Sequence, residues 1–116
     1  MAKTILFGYG TLKRGGRNYF RLADQEFVGE VTTAPRYRVI DLGAHPGLIR
    51  EANGLAIHGE LFAVDAKCLA ALDAFEEVPG PFVRELIEVE GYGEVWAYYM
   101  NTPVPDGANT GDRWPL

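Results

Sequence analysis

Several segments of this chain alternate apolar and polar residues with the two-residue period of a β-strand. Residues 26–33 alternate in this way and are rich in β-branched side chains, which favours a strand. Residues 54–64 form the longest mostly apolar segment, and Gly59 within it indicates a bulge or a close backbone approach. Shorter runs predict further strands at residues 4–9, 37–42, 48–50, 82–89 and 94–100.

One segment has the period of an α-helix instead. Its apolar side chains lie three or four positions apart and form one stripe: Cys68, Leu69, Leu72 and Phe75. Asp65 stands where an N-cap is expected, and the Val-Pro-Gly-Pro run at 78–81 ends the helix. Residues 18–24 contain enough apolar residues to predict a second, short helix.

The order of these elements predicts an α+β fold. Strands on both sides of a single clear helix favour a mostly antiparallel or mixed sheet, which could hide its edges by curling into a barrel. Residues 91–93, Gly-Tyr-Gly, predict a hairpin turn between the last two strands. The prolines and glycines of residues 101–116 predict a loop, in which Trp114 is expected to anchor the segment to the core. A chain of 116 residues suits one domain, residues 1–116.

Composition narrows the classes of function. The net charge of −5 argues against nucleic acid as the main partner, because phosphate binding requires a basic surface. The single cysteine, Cys68, cannot form an internal disulfide, so we expect a cytoplasmic protein. The first apolar run is too short for a signal peptide, and no apolar run approaches the ~18 residues of a membrane helix. The oligomeric state is left open.

The first predicted strand runs into a loop with glycines at positions 8, 10, 15 and 16. Glycines allow sharp bends and let a ligand approach backbone N–H groups closely. Lys13 stands where a dinucleotide-binding motif requires a third glycine, and no Gly-Lys-Ser/Thr ending is present, so nucleotide binding is poorly supported. Lys13, Arg14 and Arg17 form either a solvated basic rim or a means of attracting an anionic substrate.

Glu76 is the carboxylate that the predicted helix directs inward. Because each helical residue advances by about 100°, Glu76 lies about 40° from Leu72 and inside the apolar stripe. Glu77 faces solvent, and Asp73 lies at the boundary. Burial and the C-terminal end of the helix dipole both favour the neutral acid, so the pKa of Glu76 should be raised towards that of a general base. The alternative is a buried structural ion pair between Glu76 and Arg84 or another cation.

Other reactive side chains give weaker signals. His45 and His58 have no second ligand at metal-binding spacing, so no metal site is indicated. The chain contains no serine, and Cys68 lies on the apolar stripe, where a small buried hydrophobe is the expected role. Tyr98 could donate a hydrogen bond in a pocket or simply pack in the core.

These features together resemble the gamma-glutamylcyclotransferase-like superfamily. The loop sequence Tyr-Gly-Thr-Leu at residues 9–12 resembles its N-terminal motif, and the branch of gamma-glutamylamine cyclotransferases and avirulence-induced-gene-like proteins is the most similar. The resemblance continues in order along the chain at Asn18, residues 45–48, 59–62 and 72–76, Arg84 and residues 95–98. The pairing of the loop motif with Leu-Asp-x-Phe-Glu at residues 72–76 is specific.

The resemblance implies a small mixed β-barrel flanked by helices, with a cavity at the loop. It implies release of 5-oxoproline from small gamma-glutamyl compounds without a cofactor, with Glu76 as the acid/base. It also assigns the substrate site, which comprises Tyr9, Gly10, Thr11, Leu12, Phe82 and Tyr98. Phe82 stands where relatives often carry a tyrosine. A non-catalytic binding protein that keeps the cavity, and a related acyl-transfer or amide-cleaving activity, are the alternatives.

Overall fold

The computed structural model describes residues 3–116, which form eight β-strands, one α-helix and one turn of 3-10 helix. The elements before the helix are β1 (Thr4–Gly8), the 3-10 turn (Tyr19–Arg21), β2 (Glu26–Thr32), β3 (Tyr37–Asp41), β4 (Pro46–Arg50) and β5 (His58–Val64). The helix and the elements after it are α1 (Ala66–Phe75), β6 (Phe82–Val89), β7 (Gly93–Met100) and β8 (Thr110–Gly111).

The strands form two sheets. The larger sheet has the order β2-β5-β1-β7-β6, and the smaller one has the order β4-β3-β8. The central strand β1 pairs antiparallel with β5 and parallel with β7, so the larger sheet is mixed. The predicted α+β class with a mixed sheet is confirmed, whereas the strands divide into two sheets and do not close into one barrel.

Both faces of β1 are covered. Phe7 is 1% exposed and packs in a cluster with Tyr37 and Val39 of the smaller sheet. Leu6 is 0% exposed and packs in a second cluster that includes Leu72 of α1. Successive residues of a strand point to opposite faces, so this strand is fixed from both sides. The glycine-rich loop therefore starts from a rigid base.

Local sequence explains the position of α1. The Asp65 side chain accepts a hydrogen bond from the backbone N–H of Cys68 at 2.7 Å, which is the predicted N-cap. Leu72 is the fully buried member of the apolar stripe, while Phe75 is 36% exposed. The stripe therefore holds the helix on the sheet at its middle and leaves its C-terminal end at the surface.

Three local predictions differ from the structure. Residues 18–24 form only the single 3-10 turn, and the smaller sheet gains the two-residue strand β8. The strand predicted at residues 48–50 begins already at Pro46, which pairs with Asp41. Proline is tolerated there because the first residue of a strand need not donate to the ladder.

Gly59 marks a close approach and not a bulge. A Cβ atom at this position would lie 2.4 Å from Cζ of Phe7. The bulge lies instead in the neighbouring strand β2, where the register shifts between Phe27 and Gly29. Within residues 3–116, no helix has the length and hydropathy that crossing a membrane requires.

Candidate active site

A cavity of about 450 Å³, here called the main cavity, opens beside the glycine-rich loop. It lies where the end of β1, the C-terminal end of α1 and the strands β6 and β7 meet. Its walls are formed by residues 7–12, Arg17, Asn18, His45, Pro46, residues 75–77, Pro81, Phe82 and Tyr98. All seven residues that the resemblance assigns to a site are therefore brought together.

The loop is held in shape by its own backbone. The N–H of Lys13 donates to the carbonyl of Gly10 at 3.2 Å, which closes a tight turn. Asn18 then ties the loop to its far end, donating from its backbone N–H to the Thr11 carbonyl at 3.0 Å and from its side chain to Thr11 Oγ1 at 3.0 Å. Gly10 must be glycine here, because an added Cβ would lie 2.6 Å from the ring of Pro46.

The loop leaves backbone donors available. Among the residues that the structure describes, the N–H groups of Gly10, Thr11 and Leu12 donate to no protein acceptor. Neighbouring N–H groups of this kind can bind a carboxylate or a developing oxyanion. The main cavity thus has hydrogen-bond donors on its loop wall.

Glu76 lies on another wall of the main cavity, at the C-cap of α1. Its backbone N–H still donates to the Leu72 carbonyl at 2.8 Å, so the helix fixes its Cα position. Burial raises the pKa of Glu76 to about 7, and the charge of Arg21 opposes this shift. The inward direction expected from the sequence is the one the structure shows, and the side chain is poised to exchange a proton near neutral pH.

Arg84 pairs with Asp73 and not with Glu76. Its Nε donates to Asp73 Oδ1 at 2.8 Å and its terminal nitrogen to Asp73 Oδ2 at 3.1 Å, which is a bidentate ion pair. The structural alternative for Glu76, an ion pair with Arg84, is therefore wrong. Within residues 3–116, Glu76 forms no salt bridge.

Two tyrosines connect the loop to the sheet at the cavity wall. The hydroxyl of Tyr9 donates to the backbone carbonyl of Tyr98 at 2.7 Å, and the hydroxyl of Tyr98 donates to Asp73 Oδ1 at 2.8 Å. Burial, and then the charge of Glu76, raises the pKa of Tyr9. Burial, and then the hydrogen bond and charge of Asp73, raises the pKa of Tyr98. Both hydroxyls are therefore neutral donors with fixed directions.

Phe82 provides apolar surface at the cavity and is 8% exposed. The edge of its ring meets His45, with the centroids 5.8 Å apart. In the sequence, His45 has no second ligand at metal-binding spacing and belongs to residues 45–48 of the family resemblance, which gave it no role at this cavity. Within residues 3–116, no three His, Cys, Asp or Glu side chains are grouped to hold a metal ion.

Cys68 lies away from the main cavity. Its thiol donates to the Arg21 carbonyl at 3.6 Å, and burial raises its pKa. A thiol with a raised pKa is a poor nucleophile. The main cavity instead combines one carboxylate of raised pKa with several backbone donors, which suits proton transfer and oxyanion binding.

The amino-acid sequence of this chain is similar to those of known proteins. The model of the family described as "Gamma-glutamyl cyclotransferase, AIG2-like" matches residues 6–115. A Vibrio cholerae protein with a provisional gamma-glutamylcyclotransferase name is 39% identical over 99 residues, which cover 84% of each chain. The gamma-glutamylaminecyclotransferase B of Danio rerio is 40% identical over 101 residues, which cover 78% of this chain and 53% of that protein.

The fold is shared as well. The crystal structure of an AIG2-like protein from Mus musculus superimposes with a TM-score of 0.88 at 25% sequence identity. The match covers 98% of this chain and 89% of the mouse chain. Nearly the whole architecture described above, including the elements that surround the main cavity, is therefore common to both proteins.

Proposed function

This chain belongs to the AIG2-like gamma-glutamyl cyclotransferase family, and on that premise we propose that it converts a gamma-glutamyl amine or a related compound into 5-oxoproline and a free amine. The observation that carries the proposal is the composition of the main cavity. Glu76, whose pKa is raised to about 7, and the backbone donors of residues 10–12 line the same space.

The reaction requires two things of the protein: it must hold the substrate in a bent conformation, and it must transfer protons. The α-amine of the glutamyl group attacks its own γ-carbonyl, so a C–N bond forms and closes a five-membered ring. Because the attack is intramolecular, holding the substrate in a near-attack conformation supplies much of the rate enhancement. No protein nucleophile is needed.

Glu76 acts in both halves of the reaction. The attacking group enters as an ammonium and loses one proton to solvent. As a carboxylate, Glu76 takes a second proton from this nitrogen while the new C–N bond forms, and as the acid it returns that proton to the leaving amine when the original amide bond breaks. The oxygen of the γ-carbonyl carries negative charge between these steps. One well-placed N–H donor to such an oxygen is worth about 3–4 kcal/mol in other enzymes, and the loop N–H groups of Gly10, Thr11 and Leu12 are the donors we assign.

Apolar and hydroxyl-bearing side chains complete the substrate site. Phe82 provides a flat apolar wall, and Tyr9 and Tyr98 keep their hydroxyls engaged with protein acceptors. The tyrosines therefore define the shape of the main cavity more than they contribute free polar groups.

The test is a panel of gamma-glutamyl amines and dipeptides, with 5-oxoproline measured directly. We expect turnover by the unmodified protein and a loss of at least about a thousandfold in Glu76→Gln, because the glutamine cannot accept the proton. The exposed Glu90→Gln provides the matched control and should keep full activity. Full activity of a folded Glu76→Gln variant would contradict the mechanism, and binding without turnover across the panel would indicate the non-catalytic alternative.

A further inference from the structure

A second cavity of about 420 Å³, here called the outer cleft, lies on the other side of the glycine-rich loop. It is lined by Gly10, Thr11, residues 13–17, Ala44, Trp114 and Pro115. Three of these residues are cations and none is acidic, although the chain as a whole carries a net charge of −5. A cleft lined by one sign of charge concentrates ligands of the opposite sign.

Two of the three cations already have protein partners. Lys13 donates from Nζ to the backbone carbonyl of Trp114 at 2.6 Å. Arg14 contacts the buried carboxylate of Glu60, with Nε 3.3 Å from Oε2, and its guanidinium stacks 3.7 Å from the ring centroid of Phe27. The Glu60 carboxylate offsets much of the charge of Arg14, whereas Lys13 keeps its charge and donates one of its three N–H groups to the protein.

Arg17 differs from both. It lines the outer cleft and the main cavity, together with Gly10 and Thr11, so it stands where the two spaces meet. Its side chain is exposed and forms no hydrogen bond or salt bridge with any residue in the described range 3–116. It is therefore the cation of this group with its donors available to a ligand.

The backbone on both sides of Arg17 is fixed. The N–H of Gly16 donates to the Lys13 carbonyl at 2.8 Å, and the N–H of Asn18 donates to the Thr11 carbonyl at 3.0 Å. Gly16 also passes so close to the loop that an added Cβ would lie 2.3 Å from the Thr11 carbonyl oxygen. The Cα of Arg17 is thus held against the glycine-rich loop, while its exposed guanidinium has no protein partner among residues 3–116.

We propose that Arg17 and the outer cleft bind a carboxylate on the leaving amine, so that the preferred substrates are gamma-glutamyl conjugates of acidic amines such as acidic amino acids or acidic peptides. The inference rests on the function proposed above. If the glutamyl group lies between Glu76 and residues 10–12, a leaving group that extends past Arg17 enters the outer cleft. A planar guanidinium binds a carboxylate through two parallel hydrogen bonds.

Glu77 favours the opposite charge on the leaving amine. Its exposed carboxylate also lines the main cavity and would favour a leaving amine with a spare ammonium group. Arg17 is the stronger determinant because it opens into a cleft whose charged side chains are all positive, whereas Glu77 stands beside Glu76 without a cleft of its own.

The experiment uses three substrates that differ in leaving-group charge at nearly constant shape, together with a fourth whose leaving group carries a positive charge. They are gamma-glutamylglutamate, gamma-glutamylglutamine and gamma-glutamylglutamine amide, with two, one and no leaving-group carboxylates, and a gamma-glutamyl conjugate of 1,4-diaminobutane. We expect kcat/KM to fall in that order, with about tenfold between the first and third, which corresponds to one charge-assisted hydrogen-bonded contact. Added salt should reduce this preference.

Arg17→Ala should lower kcat/KM for gamma-glutamylglutamate about tenfold and change that for the amide less than twofold. Arg36→Ala, which removes an exposed arginine outside both cavities, is the matched control and should leave the charge preference unchanged. An equal loss on all substrates would overturn the proposal, because Arg17 would then hold the glutamyl group itself. A preference for the diaminobutane conjugate would overturn it in favour of Glu77.

Failure of this inference can be told apart from failure of the proposed function. In the Glu76→Gln background, calorimetric binding of the same substrates does not require turnover. Tighter binding of gamma-glutamylglutamate than of its amide analogue, lost on adding Arg17→Ala, supports the subsite even if no substrate is converted. Equal binding of the charged and neutral compounds refutes the subsite even if all of them yield 5-oxoproline.

Discussion

Glu76 is held where its ionisation opposes folding but enables the proposed reaction. Burial raises its pKa from 4.5 to about 7, so the native state keeps a proton that the unfolded chain releases. The stabilisation is therefore fully present below pH 4.5 and is lost as the pH rises through 7. Glu76→Gln, which stays neutral, should then exceed the unmodified protein in stability at pH 8 by about 1–2 kcal/mol, after discounting for partial solvent exposure, with little difference at low pH.

Urea unfolding of both proteins at pH 4.5 and pH 8 measures this difference, and Glu90→Gln controls for the loss of one negative charge. The kcat/KM of the unmodified protein should change in the opposite direction and rise as the pH passes 7, because the base must be ionised. A stability difference that is the same at both pH values would show that Glu76 keeps its ordinary pKa in the native state.

Glu77 has a backbone conformation that suits glycine better. Its φ is +56°, and it follows the C-cap of α1 in a Schellman motif, in which Val78 N–H donates to the Asp73 carbonyl at 2.9 Å. Because a side chain in this left-handed region costs about 1 kcal/mol, Glu77→Gly should raise the free energy of unfolding by about that amount. Glu77→Ala keeps the unfavourable Cβ and should gain nothing. Thermal unfolding of the two variants decides whether backbone strain is the cause.

At the scale of elements, Asp73 joins three of them. It lies on α1, pairs with Arg84 of β6 and accepts the Tyr98 hydroxyl of β7. In a double-mutant cycle, Asp73→Asn and Tyr98→Phe should each destabilise the protein by about 1–2 kcal/mol and show a coupling of about 1 kcal/mol. The control cycle at the exposed pair Asp112 and Arg113 should show no measurable coupling. Additive effects at Asp73 and Tyr98 would mean that their hydrogen bond does not contribute to stability.

Elements with strong local signals could be predicted from sequence. Asp65 as an N-cap and Leu72 on an apolar stripe define α1, and alternation defines most strands. The two residues of β8 carry no period of their own, since a strand this short exists only through its pairing with β3. Residues 18–24 were predicted to form a short helix but form only a three-residue 3-10 turn. Of their apolar side chains, Tyr19 and Leu22 pack in the core without the repeat that a continuous helix requires.

The candidate site was partly predictable because some of its residues, such as Glu76, carry a local sequence signal and others do not. A helical angle gives the direction of Glu76 but not which carboxylate reaches Arg84, and Asp73, one turn earlier, is the one that does. Arg17 follows the glycine-rich loop directly, and its charge already indicated a means of attracting an anionic substrate. The place of His45 at the main cavity depends instead on the pairing of distant strands, which leaves no local signal in the sequence. The resemblance to a family assigned the loop and Glu76 to a site. It included residues 45–48 without giving His45 a role, and it did not include Arg17.

At the scale of the whole molecule, the irregular segment 101–116 is part of the architecture. Trp114 packs against the core cluster that contains Phe7, in agreement with the anchoring role expected from the sequence. Its carbonyl accepts the hydrogen bond from Lys13, and β8 extends the smaller sheet. The segment therefore forms one wall of the outer cleft.

The parallel pairing of β1 with β7 has a consequence for how the protein is made. The hydrogen bond from Tyr9 to the Tyr98 carbonyl joins residues 89 positions apart, and the loop that it helps to hold lies near the start of the chain. Bringing together two residues so far apart in sequence costs conformational entropy before their contacts can stabilise the fold, and this slows folding. During synthesis β1 can pair with β5 first, but its pairing with β7 and the hydrogen bond from Tyr9 to Tyr98 form only after residue 98 has emerged, so the main cavity is completed late.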